Sequence, residues 1–274
     1  MKRGWKIFWI ACAVTAGIGF LCCLVSLAMG VTYNRIHRYF PDGIGIVKNN
    51  SWDEDVVFSA DTRNSFANVR EINADLYAGQ VEILATDSKE VVVETSRLNS
   101  KLGFQCYMEG DELILTTKKR SLRVGNLGTG KIIVYIPKGQ LFQQAYLGIG
   151  AGNLHVEHIE ADSLFIDVGA GEADIDWFEA GEAGLTCGVG QLTARGNTRE
   201  YIQIDCGIGE ITYEADGREQ DYNYSLDCGI GEIDCGGRRV SGLSGKSHID
   251  NHAAKEMDID CGIGSVTVRF SDKY

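Results

Sequence analysis

The chain has 274 residues, with 38 acidic against 26 basic side chains and a formal net charge of −12. An exposed surface this acidic disfavours nucleic acid and anionic lipid as partners. The 34 glycines exclude a mainly helical fold, because each glycine in a helix interior costs about 1 kcal/mol.

Residues 7–31 carry no charged side chain. A run of that length exceeds the roughly 20 residues that a helix needs to cross a bilayer. Lys2, Arg3 and Lys6 precede it, and Arg35 and Arg38 follow. The basic side chains therefore favour a short cytoplasmic tail (1–6), a single membrane-spanning helix (7–31) and an extracytoplasmic remainder. A cleaved signal peptide ending near Ala28-Met29-Gly30 is the alternative, but its apolar core would be unusually long. Residues 32–65 contain Pro41-Asp42-Gly43 and no sustained apolar period, which predicts a juxtamembrane spacer with a short helix or capping segment near its end. Past the anchor, 23 basic side chains face 38 acidic ones.

The stretch 66–146 reads as strands. Leu76-Tyr77-Ala78-Gly79-Gln80-Val81-Glu82-Ile83 resembles a degenerate copy of the repeat described next, and Glu90–Thr95, Glu112–Thr117 and Lys131–Ile136 are further strands. Pro137-Lys138-Gly139 ends the last of them. Hairpins and distorted coils are both compatible with this half.

From residue 147 onward a G-x-G phrase recurs: Gly150/Gly152, Gly169/Gly171, Gly188/Gly190, Gly207/Gly209, Gly229/Gly231 and Gly262/Gly264. The first four copies are 19 residues apart, and the later gaps are 22 and 33. Aligning the copies produces apolar columns. Ile149, Val168, Cys187, Cys206, Cys228 and Cys261 precede the first glycine, while Ala151, Ala170, Val189, Ile208, Ile230 and Ile263 stand between the two. Leu147, Ile166, Leu185, Ile204, Leu226 and Ile259 lie two residues upstream, and Leu154, Ala173, Leu192, Ile211, Ile233 and Val266 lie beyond the corner. Polar residues alternate with these, so each arm has the period of a strand. Two short strands joined at G-x-G make one bend of a coil, and stacking successive coils places like on like around an apolar interior. The fold expected is all-β: a single-stranded β-solenoid over 66–274, right-handed by the crossover preference, preceded by one transmembrane α-helix.

Cys187, Cys206, Cys228 and Cys261 share a column with Ile149 and Val168, so they read as small buried hydrophobes. Bridging between adjacent coils is the alternative on the oxidising side of a membrane. Asp205, Asp227 and Asp260 immediately precede the inward column, and Glu210 and Glu232 follow the glycines. Such rows read first as a solvated face, with weak Ca²⁺ binding as the candidate metal chemistry; no cofactor is expected. His155, His158, His248 and His252 form no recognisable metal spacing with an acid along the chain. Ser241–Ser247 lacks the full spacing of a phosphate loop.

Asp258-Ile259-Asp260-Cys261-Gly262-Ile263-Gly264-Ser265-Val266-Thr267-Val268 and Ile132-Ile133-Val134-Tyr135-Ile136-Pro137-Lys138-Gly139 resemble the bacterial "putative adhesin" family of β-solenoid domains, over about residues 70–270. The resemblance implies a bacterial cell-membrane protein with one N-terminal helix. It supplies no catalytic residues to carry over, and some relatives stand beside envelope-stress signalling proteins. The function expected is a non-enzymatic scaffold or recognition module outside the membrane, binding an envelope protein or a cell-wall polymer through the ladder faces or the 216–222 and 236–256 loops. A regulatory subunit of an envelope-stress system and a carbohydrate-active enzyme on a β-helix are the alternatives. The last strand stops close to the C-terminus, so an exposed end coil and a homodimer through it are also expected.

Overall fold

A computed structural model describes residues 59–117, 130–241 and 245–271. The expected membrane helix 7–31, its tail and most of the spacer lie outside these residues, as do 242–244 within the 236–256 loop. Among the described residues no helix is long and apolar enough to cross a membrane.

The described chain is all β, strands joined by short turns and loops that include two 3-10 turns at Ser100–Leu102 and Glu219–Asp221. In the N-terminal half run β1 (Thr62–Phe66), β2 (Glu71–Thr86), β3 (Val91–Ser96), β4 (Gln105–Glu109), β5 (Glu112–Thr116), β6 (Lys131–Pro137) and β7 (Leu141–Val156). Next come β8 (Ile159–Cys206), β9 (Glu210–Asp216), β10 (Tyr222–Cys228) and β11 (Glu232–Cys235). The chain finishes with β12 (Arg238–Ser241), β13 (Gly245–Ile249), β14 (Lys255–Cys261) and β15 (Ser265–Ser271).

β8 is 48 residues of unbroken extended chain, which if straight would measure about 160 Å. It is instead wound: a side chain on Gly169 would meet the Gly150 carbonyl oxygen, and one on Gly188 would meet that of Gly169. Each 19-residue repeat is therefore one rung of a parallel stack. β7 pairs with the first turn of β8 from Leu141↔Glu160 to Val156↔Ile175, and the third turn runs from the end of β8 into β9.

Rung order departs from sequence order at both ends of the stack. β14 pairs in parallel with β8 on one side and β10 on the other, and β15 likewise lies between β9 and β11. The Gly262/Gly264 rung thus sits between the Gly207/Gly209 and Gly229/Gly231 rungs. At the other end β2 is enclosed by β7 and by the rung that β5 and β6 form together. This corrects the expectation of strictly successive stacking. It also corrects the expected free C-terminal end, because β15 is an interior strand.

Antiparallel strands cover the outer rungs instead. β12 and β13 pair with β11 and β10, while β3 and β4 pair with β6 and β5. β1, from the end of the predicted spacer, lies outside β3. Short, charged antiparallel strands leave a poorer template for edge-to-edge growth than an open parallel rung. The first half of the domain thus combines rungs with hairpins, and the two readings of its sequence are both realised.

To reach its slot, β14 must be fed back past β10, and Asn223 fixes that return. Its Oδ1 accepts the Asn251 and Ala253 amides at 2.9 and 3.0 Å, and its Nδ2 donates to the Ala253 carbonyl at 3.0 Å. One contiguous core fills the stack, including Leu147, Ile166, Leu185, Ile204, Ile259 and Leu226.

Candidate functional site

The inward column is buried along its whole length: Ile149, Val168, Cys187, Cys206, Cys261 and Cys228 in rung order. The four thiols thus occupy consecutive rungs, with Cys206, Cys261 and Cys228 in direct register. All are unbridged. Burial pushes the Cys261 thiol up to about 12, and Cys187 and Cys206 are also raised, chiefly by burial. Cys187, Cys206 and Cys261 are thus held as neutral thiols, and all four serve as packing groups.

Directly past each thiol the chain turns. Gly264 shows why the second glycine is required there: a Cβ would overlap the Gly209 carbonyl oxygen and approach the Cys206 sulfur to 2.8 Å. The bend keeps its ladder through the corner, since the Ile208, Ile263 and Ile230 amides donate to Gly188, Gly207 and Gly262 carbonyls at 2.9, 2.8 and 2.7 Å.

At the last four copies the residue between the glycines faces outward, against the interior expected for that column, whereas Ala151 stays partly buried against the core. Val189, Ile208, Ile263 and Ile230 are 55 %, 60 %, 58 % and 63 % exposed. A residue at the apex of a convex bend points away from the coil centre, and the strand alternation resumes in opposite phase beyond it, at buried Ile211 and Tyr213. Four β-branched aliphatics on consecutive rungs therefore make an exposed ridge of about 14 Å at strand spacing. A shallow groove beside it has Gly209, Gly264 and Gly231 in its floor and Glu210, Ser265 and Glu232 along its far side.

The five acids predicted as weak metal ligands border this ridge in two rows. Asp205, Asp260 and Asp227 stand in register on consecutive rungs before the corner. Glu210 and Glu232 follow it, separated by Ser265. Burial first and the Asp260 charge second raise the Asp205 carboxyl above its ordinary value, while Gln203 donates to it at 3.0 Å. Lys246 pairs with Asp227, and Arg239 with Glu232 and Asp234. Among the described residues Asp205, Asp260 and Glu210 form no salt bridge, although the Lys246 charge also acts on Asp260, so negative charge is concentrated beside Ile208 and Ile263. These acids splay along an open face and do not oppose one another across a cleft.

Among the described residues one set of three side chains brings liganding atoms within 4.8 Å of one another: His155, Asp174 and Asp176. Reading spacings along the chain missed it, yet its signal was present, since Asp174 is His155 advanced by one 19-residue repeat.

The family model of the Toastrack DUF4097 domain matches residues 69–219. The chain belongs to the Toastrack family. The match spans β2 to β9 and stops before β10, so the rung inserted last and the end it completes lie beyond the matched Toastrack segment. No curated protein matches the chain. Among solved structures, a putative cell adhesion protein from Clostridium sporogenes is 12 % identical with a TM-score of 0.42, over 77 % of this chain and 99 % of its own. A putative adhesin from Bacteroides fragilis is 13 % identical with a TM-score of 0.36, over 77 % and 96 %. A putative lipid binding protein from Parabacteroides distasonis is 12 % identical with a TM-score of 0.23, over the same shares.

Proposed function

We propose that this Toastrack protein is a non-enzymatic recognition module of the bacterial cell envelope, held at the membrane by residues 7–31 and presenting its solenoid outside. The observation that carries the reading is the exposed ridge of Val189, Ile208, Ile263 and Ile230, bordered by acids. Exposed aliphatic side chains in a contiguous row are a feature of contact surfaces. Continuous backbone pairing through every corner keeps this row rigid, so little ordering cost falls on binding.

Charge selects the partner. Asp205, Asp260 and Glu210 would repel anionic wall polymers and anionic lipid, and a second copy of the ridge would set acids against acids. The occupant proposed is a protein segment whose aliphatic side chains are flanked by Lys or Arg.

The test is photo-crosslinking in living cells, with the full-length chain carrying the crosslinker at Ile208 or Ile263 and, as a control, at Ser225 on the same end of the domain. The expected result is a crosslinked protein segment of that composition, obtained from the ridge positions alone, weakened by salt and lost in Asp205→Asn/Glu210→Gln. Crosslinks to wall polymer alone, or the same products from Ser225, would overturn the reading.

A further inference from the structure

We propose that His155, Asp174 and Asp176 form a binding site for a divalent transition-metal ion of the zinc class. His155 on β7 lies in register with Asp174 on β8. Asp176 follows two residues later and therefore points to the same face of the sheet. The ligand atoms of all three lie within 4.8 Å of one another, with His155 Nε2 at 3.7 Å from Asp176 Oδ2. Ligands of one tetrahedral zinc ion stand about 3.4 Å apart, given metal–ligand bonds near 2.1 Å. The His155–Asp176 pair is within a few tenths of an ångström of that spacing, and side-chain rotation of about 1 Å would bring the set around an ion.

Three features favour a metal over an ordinary surface ion pair. The ligands come from two hydrogen-bonded rungs, so the backbone fixes their spacing before any ion arrives. Arg195, one repeat on from Asp176, pairs with Glu214 at 3.2 Å, and among the described residues no salt bridge joins it to Asp174 or Asp176. The donor set is one imidazole nitrogen with two carboxylates, which suits zinc and its neighbours, whereas calcium and magnesium take oxygen ligands. Three protein ligands leave a zinc ion with at least one open position, filled by water or by a donor from a partner. The site lies past the glycine corner and is independent of the ridge.

The experiment is equilibrium dialysis of the full-length chain in mild detergent against zinc chloride at about 10 µM free ion, where a site of micromolar affinity fills, with bound metal counted by mass spectrometry. One zinc per chain is expected. His155→Ala and Asp176→Asn should each weaken binding roughly tenfold or more, without changing the melting temperature of the metal-free protein. His248→Ala should bind as the parent does, and millimolar calcium should not displace the zinc. Binding should weaken at acidic pH, because an imidazole must be unprotonated to ligate. No retained zinc, or equal retention by the His155→Ala/Asp176→Asn double variant, would overturn the proposal, and so would displacement by calcium. Equal retention would instead place the ion on other ligands, such as the cysteine ladder.

Discussion

The Ile263 amide donates to the Gly207 carbonyl at 2.8 Å, although the whole Gly229/Gly231 rung lies between them in the sequence. Through this contact the last corner of the chain becomes an interior rung and the ridge becomes continuous from Ile208 to Ile230. Ile259, four residues before Ile263, is buried between Ile204 and Leu226. The two isoleucines on one rung thus have opposite tasks, one in the core and one on the surface.

Their substitutions should separate accordingly. Ile259→Ala should destabilise by about 3 kcal/mol, as a cavity in a packed core does. Ile263→Ala should change stability by about 0.5 kcal/mol or less while removing part of the ridge. Urea denaturation of both variants checks this, and equal losses would contradict the outward placement of Ile263.

Gly264 and Gly237 offer a second contrast. A methyl group on Gly264 collides with backbone of the neighbouring rung, whereas one on Gly237 meets no atom within 4 Å and faces only the strain of φ +81°. Gly264→Ala should therefore cost more than about 3 kcal/mol or prevent folding, and Gly237→Ala about 1–2 kcal/mol. Thermal melts of the two variants decide the order.

The Asp205–Asp260 ladder makes a pH-dependent prediction. Asp205 has its carboxyl raised above its ordinary 3.8 in the folded state, so its contribution to stability is full below that value and is lost as pH rises through the folded one. Asp260→Asn removes the neighbouring charge and should stabilise by about 0.5 kcal/mol at neutral pH, a modest effect because solvent screens a partly exposed pair. The gain should vanish near pH 3. Denaturation at the two pH values measures it, and a gain that persists in acid would assign it to something other than charge.

Buried thiols and a partly buried phenol set the alkaline limit. Cys261 and Cys235 are each raised from 9.0 to about 12, and Tyr201 from 10.0 to about 12, with burial as the first cause in every case. Their stabilisation is intact below pH 9 and disappears as pH climbs through the folded values. Native protein at pH 8 should resist iodoacetamide at the buried cysteines and react fully once unfolded in urea. A stability plateau up to about pH 9 followed by a steep decline is expected from denaturation in a pH series.

Much of the site is legible in the sequence. The 19-residue period identified the rungs, the G-x-G phrases marked the corners, and Ile149 to Cys261 were recognised as one column. The apolar column between the glycines lies on the surface at Val189, Ile208, Ile263 and Ile230 because period-two alternation holds only up to the corner, and the residue at its apex points away from the coil. The His155 cluster was missed because its members are neighbours across rungs and not along the chain.

Local pattern by itself determined the strands, the corners and which side of each arm is apolar, because these depend on side-chain alternation and on where a Cβ cannot fit. It could not determine the order of the rungs. Ile204–Gly209 and Ile259–Gly264 share the phrase Ile-Asp-Cys-Gly-Ile-Gly, and Leu226–Gly231 differs from it only in its leucine. Any of the three can stack on any other with the same hydrogen bonds and nearly the same apolar contacts. Only the tertiary structure resolves that degeneracy: after β9 the chain leaves a one-rung gap, caps the outside with β12 and β13, and returns through the loop held by Asn223 to fill the gap with its own end.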